Sequence, residues 1–285
     1  MGRALCQSDS AARAVFACAD DTLGFSLTDV LFEGPADALS ATEVCQPALL
    51  AHAIAVLAAA RAREDVPFDV ALGHSLGEWT ALVAADAIGL ADALRLVHQR
   101  GQWMQQAAPR GVGAMSAILG LSDDAVAELC RDAAWDDVVV PATYNGDGHV
   151  VISGHALAVD RAAALARERG ATGVLALQVS APFHSPLMRA VEEPLREALD
   201  RVAIRAPRVP VASTVRPGLV TTAEQVRAVL VEQLVAPVLW SAALAKLADF
   251  GVLEVQVVGA GTALARMVKR QRPAWKVSVM TEVLP

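Results

Sequence analysis

The chain has 285 residues, of which 54% are hydrophobic, 19% are charged and only 4% are aromatic. This is enough for one large domain, or for a domain that carries a smaller insertion, and it excludes a disulfide-stapled mini-protein and a disordered tail. The formal net charge is −7, and the excess of acids lies in residues 1–100, which hold 13 acidic and 6 basic residues. Because the chain lacks a basic stripe, we expect no nucleic-acid partner.

The core must be built mainly from alanine, valine and leucine, which favours helices packed on a buried sheet. Cys6, Cys18, Cys45 and Cys130 lack the spacing of a zinc site, so we expect reduced thiols and no metal. The first residues carry no apolar signal-peptide segment, and the apolar stretch over residues 47–60 is shorter than a bilayer requires. These features predict a cytoplasmic protein that makes no membrane contact.

The first predicted element is a helix over residues 47–63, which are nearly all apolar, with Pro47 in its first turn. The apolar run over residues 70–72 ends at Gly73, which indicates a buried parallel strand before a sharp turn. Residues 76–85 then have the composition of a helix. A strand, a glycine-containing turn and a helix therefore follow one another closely.

Residues 111–180 alternate short β-like runs with two helical runs. The predicted strands are 113–119, 138–140, 150–153 and 173–179, and the predicted helices begin at 122 and cover 156–169. This βαββαβ order is typical of a ferredoxin-like unit. The sequence Asn-Gly-Asp-Gly at 145–148 favours a hairpin turn between its middle strands.

The α/β alternation resumes after residue 181. Strands are predicted near 209–212 and 253–258, and helices around 224–234 and 241–250. We therefore predict the α/β class, with a discontinuous parallel-sheet domain over residues 1–110 and 181–285 and an inserted ferredoxin-like subdomain over residues 111–180.

Residues 73–77 match G-x-S-x-G, the turn that presents a serine nucleophile to a cleft. Ser75 follows the predicted strand and precedes the predicted helix, so backbone N–H groups at the helix start could stabilise an oxyanion beside it. The alternative is a helix-capping serine in an ordinary glycine-rich turn.

A serine nucleophile needs a base, and His184 is the best candidate among the six histidines. It lies in a loop bracketed by Pro182 and Pro186, where the insertion returns to the main domain, and such loops often carry binding groups. His52 and His98 fall within predicted helices and are expected to be structural. The side chain of His74 should point away from the hydroxyl of Ser75.

Further motifs occur in register along the chain. They are Gly73-His74-Ser75-Leu76-Gly77-Glu78, Arg100-Gly101 with Met104-Gln105, Gly111-Val112-Gly113-Ala114-Met115, Val150-Val151-Ile152-Ser153-Gly154, Ala181-Pro182-Phe183-His184-Ser185-Pro186-Leu187-Met188, Val231-Glu232-Gln233-Leu234 and Val257-Val258-Gly259-Ala260-Gly261. With these motifs the chain resembles the malonyl-CoA:acyl carrier protein transacylases of fatty acid and polyketide synthesis. The resemblance implies an α/β-hydrolase-like parallel-sheet domain with a ferredoxin-like insertion.

The resemblance implies a ping-pong transfer of a malonyl group. His184 would deprotonate Ser75, Ser75 would attack malonyl-CoA, and the phosphopantetheine thiol of acyl carrier protein would then take the malonyl group. The family orients its histidine with a backbone carbonyl, which Gln233 matches here. Malonyl-CoA and acyl carrier protein are thus the implied partners, with no metal or organic cofactor, and we expect a monomer.

The resemblance also assigns the substrate pocket. Arg100 matches an arginine that pairs with the substrate carboxylate, for which a guanidinium offers a bidentate fork. The alternative for Arg100 is a solvated position on a helix surface. Met104 and Phe183 match residues that shape the acyl pocket, and a large Phe183 favours malonyl over branched groups. Gln46 and Asn145 match further pocket positions.

This sequence departs from the family pattern at three places. The family opens with a strand and a Gly-Gln-Gly-Ser-Gln loop that donates one oxyanion N–H, whereas this chain begins with residues resembling the segment after that loop. We therefore expect the N–H of Leu76 to be the donor that remains of the pair. Thr143 and Thr214 stand where the family usually has asparagine, so the polarity of the pocket is expected to differ.

Two other functions stay open. A serine hydrolase or thioesterase would use the same nucleophile with water as the acceptor. Arg100 and the insertion argue against it, as does the position of His184, because hydrolases of this kind place their histidine near the C-terminus after an acidic partner. A non-catalytic family member would keep the fold, and a surface for the carrier protein, without the chemistry.

Overall fold

The computed structural model describes residues 1–280. In this part of the chain the helices are α1 (Arg3–Ser8), α2 (Ser10–Leu23), α3 (Leu27–Glu33), α4 (Ala36–Ser40), α5 (Thr42–Arg61), α6 (Leu76–Ala84), α7 (Leu90–Ala107), α8 (Asp123–Ala134), α9 (Ala156–Glu168), α10 (Glu192–Asp200), α11 (Ala223–Glu232), α12 (Trp240–Asp249) and α13 (Ala263–Gln271). The strands are β1 (Ala71–Leu72), β2 (Gly113–Leu119), β3 (Val139–Tyr144), β4 (His149–His155), β5 (Gly173–Ala176), β6 (Val211–Ser213), β7 (Gly218–Val220), β8 (Glu254–Val258) and β9 (Lys276–Met280).

Helix α5 is the central helix of the larger hydrophobic core. Helices α2, α6 and α7 pack against it, and most of its side chains are buried. It has 20 residues and a mean hydropathy of 1.5 over an 18-residue window, which is long and apolar enough to cross a bilayer, but 72% of that window is buried inside the protein. Burial in the core accounts for the apolar composition of this helix. At 20 residues, α5 is also longer than the helix predicted over residues 47–63.

The start of α5 corrects the prediction for Pro47. The helix begins at Thr42, so Pro47 lies inside it and not in its first turn. A proline within a helix has no N–H for the carbonyl four residues earlier, which here belongs to Glu43. The Nδ1 atom of His98 on α7 bonds that carbonyl instead, at 2.7 Å. His98 thus has the structural place that was predicted, and it fastens α7 to α5.

The strands outside the insertion form two groups. β1 runs parallel to β6, and β7 pairs with β6 in the antiparallel sense. β8 and β9 form a second parallel pair. The strands alternate with helices along the chain, which confirms the predicted α/β class. β7 and β9 were not predicted from the sequence.

Strands β2 to β5 form a separate antiparallel sheet. Its order is β3-β4-β2-β5, and α8 and α9 cover one face with their own hydrophobic cluster. This is the ferredoxin-like arrangement that the βαββαβ order predicts. β3 runs on to Tyr144, further than predicted, because it pairs with β4 as far as Val150. Its end also bonds a distant segment: Tyr144 N–H donates to the carbonyl of Val238 at 2.8 Å, and Val238 N–H donates to the carbonyl of Ala142 at 2.9 Å. These bonds tie the sheet to the rest of the molecule.

Candidate active site

Ser75 lies in a strained turn between β1 and α6. Its backbone has φ 52° and ψ −113°, which is unfavourable for any residue other than glycine. The turn closes tightly because Gly73 has no side chain: a Cβ at Gly73 would lie 1.9 Å from the backbone carbon of Gly77. The sharp turn holds Ser75 at the start of α6, where first-turn N–H groups, including that of Leu76, have no acceptor within the helix.

The side chain of His184 meets that of Ser75. Its Nε2 atom lies 2.8 Å from Ser75 Oγ. On the other side of the ring, Nδ1 lies 2.9 Å from the carbonyl oxygen of Gln233 and 3.2 Å from that of Ala236. Since carbonyl oxygens only accept, Nδ1 carries the proton and Nε2 is left to accept from the serine hydroxyl. The arrangement is that of a nucleophile beside its base.

The surroundings of His184 keep its ring neutral. Burial lowers the pKa of His184 to about 3, and the positive charge of Arg100 and the nearby His74 act in the same direction. A neutral imidazole at neutral pH is the form that can take a proton from Ser75.

Arg100 lies buried beside this pair, with only 3% of its surface exposed. Its Nη1 donates to Gln46 Oε1 at 2.5 Å, and its Nη2 donates to Gln233 Oε1 at 3.1 Å. Its Nε is buried and has no hydrogen-bond partner among the described residues. Burial lowers the pKa of Arg100 to about 10, while the charge of Glu78 opposes this, so the guanidinium stays charged. The structure therefore contradicts the alternative of a solvated surface arginine.

Close packing of two helices puts Arg100 next to Gln46. Gly101 lies at the crossing of α7 and α5, where a Cβ would come within 2.5 Å of the Cα of Glu43. On α5, Gln46 Nε2 donates to Thr42 Oγ1 at 2.9 Å and lies 3.7 Å from the sulfur of Met104. Met104 is fully buried. Gln46, Arg100 and Met104, which the sequence placed in one pocket, thus lie together.

Gln233 joins several of these groups. Its backbone carbonyl accepts from His184, and its side-chain Nε2 donates to the carbonyl of Ser75 at 3.1 Å and to Glu78 Oε2 at 2.7 Å. Glu78 belongs to the motif over residues 73–78, but the sequence predicted no role for it in the site. The available signal was a single carboxylate in the otherwise apolar sequence of α6.

Asn145 and His74 connect the serine turn to the inserted sheet. His74 Nε2 lies 2.9 Å from Asn145 Oδ1, so its ring bonds the sheet and not Ser75. Asn145 Nδ2 donates to Thr143 Oγ1 at 2.9 Å. Burial lowers the pKa of His74. Asn145 therefore links the turn that carries Ser75 to the end of β3.

Phe183 precedes the candidate base and packs against two hydrophobic clusters. It contacts the larger core and also a small apolar cluster on the inserted sheet, Met115, Ala117, Ala142 and Val151. His52, by contrast, is buried within α5. Among the described residues no cluster of three or more His, Cys, Asp or Glu side chains could hold a metal ion, and the four cysteines are free thiols.

Comparison with known proteins gives consistent matches along the chain. Residues 1–271 match the family model described as acyl transferase domain. The chain is 40% identical to the malonyl CoA-acyl carrier protein transacylase of Escherichia coli K12 over 267 residues, which is 94% of this chain and 86% of that protein. It is also 40% identical to the Bacillus subtilis transacylase over 271 residues, which is 95% of this chain and 85% of that protein.

Solved structures of transacylases also match this chain. The transacylase of Coxiella burnetii superposes with a TM-score of 0.96 at 34% identity, covering 99% of this chain and 90% of that one. A malonyl-transacylase in complex with a type II polyketide synthase acyl-carrier protein also has a TM-score of 0.96 at 34% identity, covering 99% and 92%.

Proposed function

The chain belongs to the acyl transferase domain family, and we propose that it moves a malonyl group from malonyl-CoA to the phosphopantetheine thiol of an acyl carrier protein through an ester on Ser75. The observation that carries this proposal is the Ser75–His184 pair, 2.8 Å apart, beside the buried guanidinium of Arg100. The pair supplies a nucleophile and a base, and the guanidinium supplies a partner for a free carboxylate.

The first half-reaction forms the ester. Ser75 Oγ attacks the thioester carbonyl of malonyl-CoA while its proton passes to His184 Nε2. The tetrahedral intermediate then breaks its carbon–sulfur bond, and the CoA sulfur leaves with the proton from His184. The Leu76 N–H at the start of α6 donates to the oxyanion, which the positive end of the helix also favours.

The second half-reaction reverses these roles. The carrier thiol gives its proton to His184 Nε2 and attacks the ester carbonyl of malonyl-Ser75. The bond to Ser75 Oγ then breaks, and the oxygen takes the proton back. Each proton that His184 accepts is returned within the same half-reaction, so the cycle consumes no co-reactant. CoA and phosphopantetheine are substrates here, and the cycle uses no metal or organic cofactor.

Arg100 selects for the malonyl carboxylate in this account. Its guanidinium is held by the side-chain oxygens of Gln46 and Gln233, which are neutral, and Nε remains unpartnered among the described residues. A buried cation without a bonded carboxylate favours an anionic ligand. Acetyl-CoA, which has no free carboxylate, would leave this charge without its partner.

The proposal extends to the domain organisation, the location and the oligomeric state of the protein. We infer a catalytic domain over residues 1–110 and 181–285 and a subdomain over residues 111–180, which the separate hydrophobic cluster of the inserted sheet supports. We also infer that the protein acts as a cytoplasmic monomer. The fatty acid and polyketide pathways both offer carrier proteins of this kind, and the site chemistry suits either.

Measuring the two half-reactions separately tests the proposal. With malonyl-CoA alone, CoA should be released once per enzyme molecule as Ser75 becomes acylated, and the ester should persist. Addition of acyl carrier protein bearing its phosphopantetheine should then move the malonyl group to the carrier. Continuous release of free malonate without a carrier would instead support a hydrolase.

Basic residues at the edge of the site are expected to contact the carrier protein. They lie along α13 and just after it: Arg266, Lys269, Arg270, Arg272 and Lys276. Gln271 at the end of α13 donates to the backbone carbonyl of Asn145 at 2.5 Å, and Asn145 bonds His74 next to Ser75, so the end of this helix lies near the site. Acyl carrier proteins are acidic, which makes an exposed basic helix a complementary surface.

Charge reversal tests this contact. The double variant Lys269→Glu, Arg270→Glu should slow transfer to the carrier roughly tenfold at low salt and reduce its salt dependence, with acylation by malonyl-CoA unchanged. The double variant Arg196→Glu on α10 and Arg201→Glu at its C-terminal cap is the matched control and should alter neither half-reaction. Equal losses in both half-reactions for the α13 variant would contradict a carrier-specific role.

A further inference from the structure

Glu78 is a buried carboxyl group that the transfer steps do not use. It lies in the first turn of α6, three residues after the nucleophile, and has no exposed surface. Its Oε2 accepts from Gln233 Nε2 at 2.7 Å and from Thr214 Oγ1 at 3.4 Å, and its Oε1 has no hydrogen-bond partner among the described residues. Burying an acid in this way is unfavourable, and the burial raises the pKa of Glu78 to about 7.

The contacts of Gln233 suggest what this acid does. A carboxamide has donors at one end and an acceptor at the other. Two acceptors, the carbonyl of Ser75 and the carboxyl of Glu78, hold the nitrogen end. The oxygen end must then face Arg100, where it accepts from Nη2. A reversed amide would direct N–H groups at the guanidinium and leave a donor facing a donor.

We propose that Glu78 is a positioning residue for carboxylate recognition: its oxygen fixes the Gln233 carboxamide, and that carboxamide holds Arg100 in the orientation that receives the malonyl carboxylate. This inference rests on the proposed function and adds a residue to it. Glu78 touches neither the substrate nor the reacting atoms and acts through Gln233. The acceptor oxygen is what matters, so a neutral acceptor should serve in place of the carboxylate.

Two substitutions separate an acceptor from a mere space-filling group. Glu78→Met keeps the length of the side chain but removes the acceptor, whereas Glu78→Gln keeps one oxygen that can accept from Gln233 Nε2 and Thr214 Oγ1. Thr80→Val, on the same helix, is the matched control. The readouts are kcat and KM for acylation of Ser75 by malonyl-CoA and by acetyl-CoA, with folding followed by circular dichroism and thermal denaturation.

The Glu78→Met variant should lower the malonyl-to-acetyl ratio of kcat/KM by roughly tenfold, mainly through a higher KM for malonyl-CoA, since one hydrogen bond to a charged group is worth about that factor. Glu78→Gln should stay within about twofold of the unsubstituted protein, because its oxygen still accepts from Gln233. If the methionine variant does not fold, Glu78→Asp gives the same comparison, since it draws the acceptor back by one methylene.

An unchanged ratio in folded Glu78→Met or Glu78→Asp would overturn the positioning role. So would a loss in Glu78→Gln as large as that in Glu78→Met, because the charge and not the acceptor would then be responsible. These outcomes leave the proposed function standing as long as the unsubstituted protein forms malonyl-Ser75. Failure of the unsubstituted protein to form that ester would instead overturn the proposed function, and this inference with it.

Discussion

Replacing His184 with alanine should lower the rate of Ser75 acylation by about 10²- to 10⁴-fold, the usual contribution of a positioned general base. The reason is the 2.8 Å contact between His184 Nε2 and Ser75 Oγ, with the ring held by two backbone carbonyls. Within residues 1–280 the partners of Nδ1 are backbone carbonyls and not a carboxylate, so no acidic residue should replace the histidine as base. Release of CoA under single-turnover conditions measures the rate.

The pH dependence of acylation gives a control for this role. Because burial lowers the pKa of His184 to about 3, the ring stays neutral well below the usual histidine range. The kcat/KM for acylation should therefore show no acidic fall near pH 6.5 in the unsubstituted protein. Circular dichroism should find the fold of His184→Ala intact. Acylation at an unchanged rate in that variant would assign the base to another group.

Replacing Arg100 with alanine should change which acyl group the protein accepts. A charge-assisted pair with the malonyl carboxylate contributes about 1.5 to 3 kcal/mol, so the malonyl-to-acetyl ratio of kcat/KM should fall by roughly one to two orders of magnitude. Acetyl-CoA has no carboxylate to lose and should gain relative to malonyl-CoA. Competition between the two thioesters for Ser75, followed by mass spectrometry of the ester, measures the ratio directly.

Phe183 provides the matched comparison, because it should act on size and not on charge. The Phe183→Ser variant should favour methylmalonyl-CoA over malonyl-CoA by a smaller factor, and its malonyl-to-acetyl ratio should move little. The two substitutions must thus affect different pairs of substrates. An unchanged malonyl-to-acetyl ratio in an Arg100→Ala protein that still acylates Ser75 would refute the carboxylate pairing.

The sequence predicted best the features that depend on local patterns. The strand, turn and helix around Ser75 follow from an apolar run that ends at Gly73, and the inserted sheet follows from alternating short strands and helices with a clear turn at 145–148. β2 has the predicted limits because both its ends are marked by glycine, Gly113 at the start and Gly120 after the end. Local sequence patterns were sufficient to predict these elements.

Features that depend on partners distant in the sequence were not predictable in this way. Pro47 is tolerated inside α5 because His98 bonds the carbonyl that the proline leaves free, and the sequence separates that carbonyl from His98 by a strand and a helix. The short helices α1, α3 and α4 have few apolar residues of their own and are ordered by packing on α2 and α5.

Within the site, Glu78 is the clearest example of a residue whose position depends on a partner distant in the sequence. A glutamate in the first turn of a helix ordinarily favours a solvated position near the positive end of the dipole. This one is fully buried because Gln233, brought in by a different segment, donates to it at 2.7 Å. A helix pattern can mark such an acid as unusual, but the partner that explains it appears only in three dimensions.

The most direct test of the account is the ester on Ser75. The protein is incubated with malonyl-CoA, digested, and the peptide that contains Ser75 is examined by mass spectrometry. We predict a malonyl adduct on Ser75, its loss on addition of acyl carrier protein, and no adduct or transfer in Ser75→Ala. Transfer of malonyl to the carrier without an adduct, or at an unchanged rate in Ser75→Ala, would contradict the account.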